Sequence, residues 1–157
     1  MVAKSRRSTP AIVLAALMAA TAAWAVLPPL SPEQRDAAAS LVVTGTVASS
    51  TTSDVGAAES IDEITDLTVQ VEAVERGSGA SAGQEISVRC WTVVKRPPGW
   101  VGPTGVNPLP KIGDRIRVWL VPDGDGDGDG GWKPLEPNGV EILGPAPVSQ
   151  SSQAPVS

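Results

Sequence analysis

The chain has 157 residues, 41% of them hydrophobic, and a formal net charge of −5, which suits one domain with a modest core. It contains no His, so an imidazole base, a Ser-His or Cys-His pair and an imidazole metal ligand are excluded. Cys90 is its one cysteine, so no internal disulfide staples the fold.

The N-terminus reads as an export signal. Lys4, Arg6 and Arg7 form a basic start, and Ala11 to Ala23 is charge-free and almost wholly apolar. Ala23-Trp24-Ala25 then supplies the small-x-small pattern read by a signal peptidase. Residues 1–25 are therefore expected to be a signal peptide. The apolar run continues to Leu27, which brings it to the lower edge of the roughly 17–25 residues that span a bilayer. An uncleaved anchor extending to residue 27 is the alternative. The positive-inside rule would then keep the basic start inside and the domain outside, anchored in the inner membrane. Ser5-Arg6-Arg7 also resembles a twin-arginine signal, but Thr9 and Pro10 stand where that signal carries apolar residues. No lipobox cysteine lies near the cut. The protein is thus expected outside the cytoplasm, periplasmic or extracellular. Without the leader it keeps nine basic and 17 acidic residues, a net charge of −8 that repels nucleic acid.

Residues 26–40 are expected to be a linker carrying a short helix. Ser31 suits the N-cap, Pro32 the first helical position, and Gln34 the return arm of a capping box. The helix should end near Ser40 and space the domain from the leader.

Residues 41–143 then show strand signals at regular intervals. Leu41 to Ser49 is rich in β-branched residues around Gly45, a candidate bulge or bend. Ser50 to Glu59, small and polar, is predicted to be a loop. Ile64 to Val74 alternates, with Leu67, Val69 and Val71 on the inner face. Residues 76–83 are a Gly/Ser-rich connection. Glu85 to Val94 places Ile86, Val88 and Cys90 inward, and Asp114 to Val121 places Ile116, Val118 and Leu120 inward. Trp91 and Trp119 fall on the opposite face, where they meet another layer or present aromatic surface. Gly131 to Leu135 and Val140 to Leu143 flank Pro137-Asn138-Gly139, which favours a tight reversal. Period-two patterning predicts an all-β fold: an antiparallel sheet of five or six short strands, closed or partly closed into a small barrel. Residues 144–157 lack the apolar mass that offsets ordering entropy and are expected to form a disordered tail.

Two segments carry candidate chemistry. Asp123, Asp125, Asp127 and Asp129 alternate with glycines. Read from Asp125, the run fits D-x-D-x-D-G-x5-E with Glu136 in the twelfth place, so Asp125, Asp127, Asp129 and Glu136 are candidate calcium ligands. Strand-like flanks and Pro134 oppose a helix-loop-helix site, and a solvated hairpin tip grown by repeat slippage is the plainer reading. The loop from Lys95 to Pro110 is stiffened by proline and glycine. Its Lys95, Arg96, Trp100 and Asn107 are candidate ligand or partner contacts, with Trp100 folding back over the open barrel end as the alternative. Cys90, mid-strand, reads as a small buried hydrophobe rather than a reactive thiol. No nucleophile motif surrounds the Ser or Lys residues.

Two resemblances follow from these residues. The rhythm of Val43-Thr44-Gly45-Thr46-Val47, Val69 to Gly77 and Gly113 to Leu120 is similar to strands one, two and four of OB-fold proteins, notably the netrin-like domains of tissue metalloproteinase inhibitors. It implies an OB-like barrel over residues 41–143. The cysteines that mark those inhibitors are missing, so inhibition does not carry over. Arg96-Pro97-Pro98-Gly99-Trp100 through Asn107, then Gly113-Asp114-Arg115, Gly131-Trp132 and Leu135 to Glu141, resemble an uncharacterised family of small exported bacterial proteins. That resemblance implies a single exported domain and no particular activity.

The sequence therefore leads to an exported, non-enzymatic β-barrel module that binds a protein, glycan or small ligand in the cell envelope. It needs no cofactor. It touches a membrane only if its N-terminal segment stays uncleaved. A structural calcium module is one alternative, and a small hydrolase with an unrecognised site is another.

Overall fold

The computed structural model describes residues 28–124 and 131–146. The expected signal peptide (residues 1–25) with residues 26–27, Asp125, Asp127 and Asp129, and residues 147–157 of the expected tail lie outside the described residues.

Helix α1, Pro32–Ala38, forms where the capping signal places it. Gln34 N–H donates to Ser31 Oγ (3.2 Å), and Ser31 N–H donates to Gln34 Oε1 (2.8 Å), so two N–H groups at the helix start gain acceptors. The helix is not a free-standing spacer. Trp119, projecting from the barrel's outer face, donates its indole N–H to Asp36 (2.6 Å), and the Arg35 guanidinium lies 3.9 Å from the ring centre. Trp119 is left only 1% exposed and forms a small second core with Ala39 and Val42, joined by Leu135. A cation over a desolvated indole adds about 0.5–2 kcal/mol.

Six strands follow: β1 Leu41–Ala57, β2 Ser60–Gly77, β3 Glu85–Lys95, β4 Asp114–Pro122, β5 Trp132–Pro134 and β6 Val140–Pro145. They bond in a ring, β1-β2-β3-β5-β4, closed by a second seam between β4 and β1, with β6 beside β4. The fold is all-β and OB-like, and the ring is tight on one side and slack on the other. The inner residues predicted from alternation all meet inside: Leu67, Val69 and Val71 from β2, Ile86, Val88 and Cys90 from β3, and Ile116, Val118 and Leu120 from β4. Leu41, Val43 and Val47 of β1 complete this core. Each fully buried aliphatic side chain of this kind contributes about 1.5–3 kcal/mol.

β1 can serve two neighbours because it bends. Its pairing with β2 slips between Val42 and Val43, between Thr44 and Gly45, and between Val47 and Ser49. Gly45 sits at one slip, as expected; a Cβ there would lie 2.4 Å from the Gln70 carbonyl oxygen. Extra residues on one strand of a pair increase twist and turn it around a barrel.

Two expectations are corrected. Ser50 to Glu59 is not a loop: β1 runs on to Ala57 and pairs with β2 until Ala57↔Ser60, leaving a tight tip at Ala58 and Glu59. The β1 half of this arm is exposed throughout and carries Ser, Thr and Asp on both faces, so no buried face stamped an alternation on residues 50–57. The Pro137-Asn138-Gly139 turn reverses nothing. β5 and β6 are both antiparallel to β4 and follow one another along its same edge. Residues 135–139 bulge out of what is otherwise one strand: Leu135 N–H donates to the Trp119 carbonyl, and Trp119 N–H donates to the Gly139 carbonyl (both 2.8 Å). The bulge is used for docking. The Asn138 side chain accepts from Leu30 N–H and donates to the Leu30 carbonyl (3.0 Å each), fastening the chain ahead of α1.

Candidate functional site

The slack seam creates the site. β3 and β5 run parallel but share a single register pair, Val88↔Trp132. Beyond it β5 stays with β4, whereas β3 continues beside the 104–106 loop. Val106 N–H donates to the Trp91 carbonyl (2.8 Å), and Val93 N–H donates to the Thr104 carbonyl (3.2 Å), which holds that loop against β3. A cleft of about 600 Å³ lies in the gap that this divergence leaves. Clefts of about 300–1,000 Å³ are the usual size for small ligands.

Its apolar lining comes from Ile64, Cys90, Val106, Val121, Pro134 and Leu135. Its polar lining is Arg89 and Trp91 from the outward face of β3, Asp123 after β4, Lys133 on β5, and Glu136 in the bulge. The charges alternate. Asp123, its side chain 8% exposed, lies 3.4 Å from Arg89 Nη1 and 3.9 Å from Lys133 Nζ. Arg89 Nε also donates to Asp66 Oδ1 at 2.9 Å. Trp91 donates its indole N–H to the Glu136 carboxylate, which ties the aromatic wall to the bulge. Asp123 N–H donates to the Gly131 carbonyl (3.0 Å).

Cys90 reaches the cleft lining but is buried, and burial pushes its thiol up to about 12, with the nearby Asp66 charge adding to the shift. A thiol that stays protonated at neutral pH is a poor nucleophile.

The rim-loop residues do not assemble as a group. Lys95 turns to the tip of the β1–β2 arm, donating to the Ala58 carbonyl and lying 3.7 Å from Glu59. Arg96 pairs with Asp62 and donates to the carbonyls of Ile61 (3.2 Å) and Lys95 (2.9 Å). These contacts absorb the cationic base of the loop. Trp100 does not cap the barrel: it is 51% exposed, with the Arg96 guanidinium 5.2 Å from its ring centre. Val106 and Leu109 of the same loop pack on the core instead. Asn107 lines a separate hollow of about 190 Å³ beside Pro137, Asn138 and Ile142. Of the candidate calcium ligands only Glu136 is described, and its carboxylate serves Trp91. Among the described residues no group of three or more His, Cys, Asp or Glu side chains is placed to hold a metal ion.

Sequence reasoning missed Arg89, Asp123 and Lys133 as a set. The available signal was Arg89-x-Trp91 on the outward alternation of β3. Nothing local indicates that β5 would face those two residues across a gap. No helix among the described residues is long and apolar enough to cross a membrane. No family model, no curated protein and no solved structure matches the chain.

Proposed function

We propose that this is an exported, non-enzymatic binding module whose site is the cleft between β3 and β5. One observation carries the reading: the ring opens where a ligand-sized cavity with an apolar floor and five polar or aromatic groups has formed. A packed barrel gains nothing from such a gap, because an unfilled seam forfeits van der Waals contacts. The non-enzymatic part rests on chemistry. The chain has no His, the one thiol is buried and protonated, and the cleft carboxylates are held by Arg89, Lys133 and Trp91. The export part rests on the leader sequence, Lys4 to Ala25.

A fragment library titrated into the isotope-labelled protein tests the site by NMR. Amide and indole shifts should cluster on Arg89, Trp91, Lys133 and Glu136. Shifts centred on Trp100 and Arg96 would overturn the cleft and favour the rim loop, the second reading. That reading is supported by the exposed, arginine-stacked indole of Trp100.

A further inference from the structure

We infer that the cleft takes a neutral, hydroxyl-rich ligand, a saccharide unit, an assignment that rests on the cleft being the binding site. The argument begins with charge. Arg89 and Lys133 both lie within ion-pair distance of Asp123, and Glu136, bonded to Trp91, belongs to the same lining. Among the described residues, two cations and two carboxylates line one small space. An anion entering it meets Asp123 and Glu136; a cation meets Arg89 and Lys133. Either ion would be desolvated beside a like charge, a heavy cost in a partly enclosed site. A neutral ligand avoids both penalties.

The lining also specifies what the neutral ligand must offer. Guanidinium and ammonium groups only donate hydrogen bonds, and ionised carboxylates only accept them. A hydroxyl does both, so neighbouring hydroxyls on one ring can accept from Arg89 or Lys133 and donate to Asp123 or Glu136 without breaking the ion pairs. The remaining wall is Trp91, whose indole edge is already committed to Glu136. An indole fixed by its N–H offers a flat apolar surface for the C–H face of a sugar ring. Ile64, Val106 and Leu135 extend that apolar side. The volume accommodates a unit of one or two rings, whether free or at the end of a longer chain.

The test is calorimetric titration of the full processed protein with three sets of probes. These are neutral hexoses and disaccharides, the matching uronic acids and amino sugars, and an uncharged tetrapeptide. Neutral sugars should bind, and their charged counterparts should bind at least tenfold more weakly. Lys133→Ala should weaken the neutral sugar about tenfold while leaving the thermal midpoint nearly unchanged. Trp91→Ala should abolish binding, and Trp91→Phe, which keeps a ring without the Glu136 bond, should retain part of it. A soluble oligosaccharide binding no more tightly than its terminal disaccharide indicates chain-end capture; tighter binding indicates a site that follows the chain. Both support the assignment. Tetrapeptide binding in the cleft with no sugar binding would overturn the ligand class and leave the site standing. Silence from every probe, with NMR fragment shifts outside the cleft, would overturn the site as well.

Discussion

The ring closes at two non-hairpin seams, and they differ sharply. Between β1 and β4, six consecutive pairs run from Leu41↔Leu120 to Thr46↔Arg115. Between β3 and β5 there is one pair, Val88↔Trp132. Both seams carry arginines and carboxylates on their outer faces, yet the charges do different work. At the tight seam Arg115 pairs with Glu72 (2.6 Å) and Arg117 with Glu75, while Thr46 and Thr44 donate to the same two carboxylates. These ties cross three strands and lock the register. Arg117 and Arg35 both lie against Trp119, and their buried Nε atoms have no hydrogen-bond acceptor among the described residues. At the slack seam the strands stand apart, and Arg89, Asp123 and Lys133 line a space rather than a sheet. A continuous strand ladder lets charged side chains become clasps; an interrupted one turns them into the lining of a cavity.

The comparison can be broken most severely at the tight seam. Leu120→Ala removes a fully buried side chain opposite Leu41 and should cost about 2–5 kcal/mol in chemical denaturation. The same experiment on Lys133→Ala, at the slack seam, should fall within about 0.5 kcal/mol of the parent. Gly45→Ala drives a Cβ against the Gln70 carbonyl and should cost about 1–3 kcal/mol, read as a lowered denaturation midpoint with an unchanged slope. Trp119→Phe keeps the ring but loses the hydrogen bond to Asp36, about 1.5–3 kcal/mol for a charged acceptor. Hydrogen exchange should then quicken in the segment holding α1 while the β2–β3 core keeps its protection.

At the tight seam the smallest effect belongs to Glu72. Its hydrogen bond from Arg115 holds its carboxyl below the usual value of 4.5, against an opposing push from partial burial. A lowered folded-state value means that the stabilising contribution is complete above the unfolded carboxylate range. It fades as the pH falls through the folded value. Glu72→Gln should therefore cost roughly 0.2–1 kcal/mol at neutral pH, toward the lower figure because the pair is a third exposed. The gap between variant and parent should shrink as the solution is acidified. A gap that stays constant with pH would show that the ionised carboxylate of Glu72 contributes nothing to the tie.

Much of the ring of strands is legible in the sequence alone. The inner residues of β2, β3 and β4 are written as every second position, because side chains on a strand alternate faces and only one face is dry. The helix start was legible for an equally local reason: Ser31 and Gln34 satisfy each other's backbone within one turn. The β1–β2 arm was not, since a strand wet on both faces leaves no apolar trace. The rim-loop candidates were plausible by composition, but Asp62 and the arm tip claimed Arg96 and Lys95, and no local pattern announces such partners.

By itself, then, the sequence determined which side chains point inward and where the helix begins. Those are consequences of local periodicity and capping. Only the tertiary structure decided that β5 and β6 share one edge of β4, that residues 135–139 bulge out to hold Leu30, and that β3 and β5 part after one pair. Each of these depends on residues distant in the chain competing for the same strand edge. Backbone hydrogen bonding requires that competition to be resolved, but it leaves no mark at any single position.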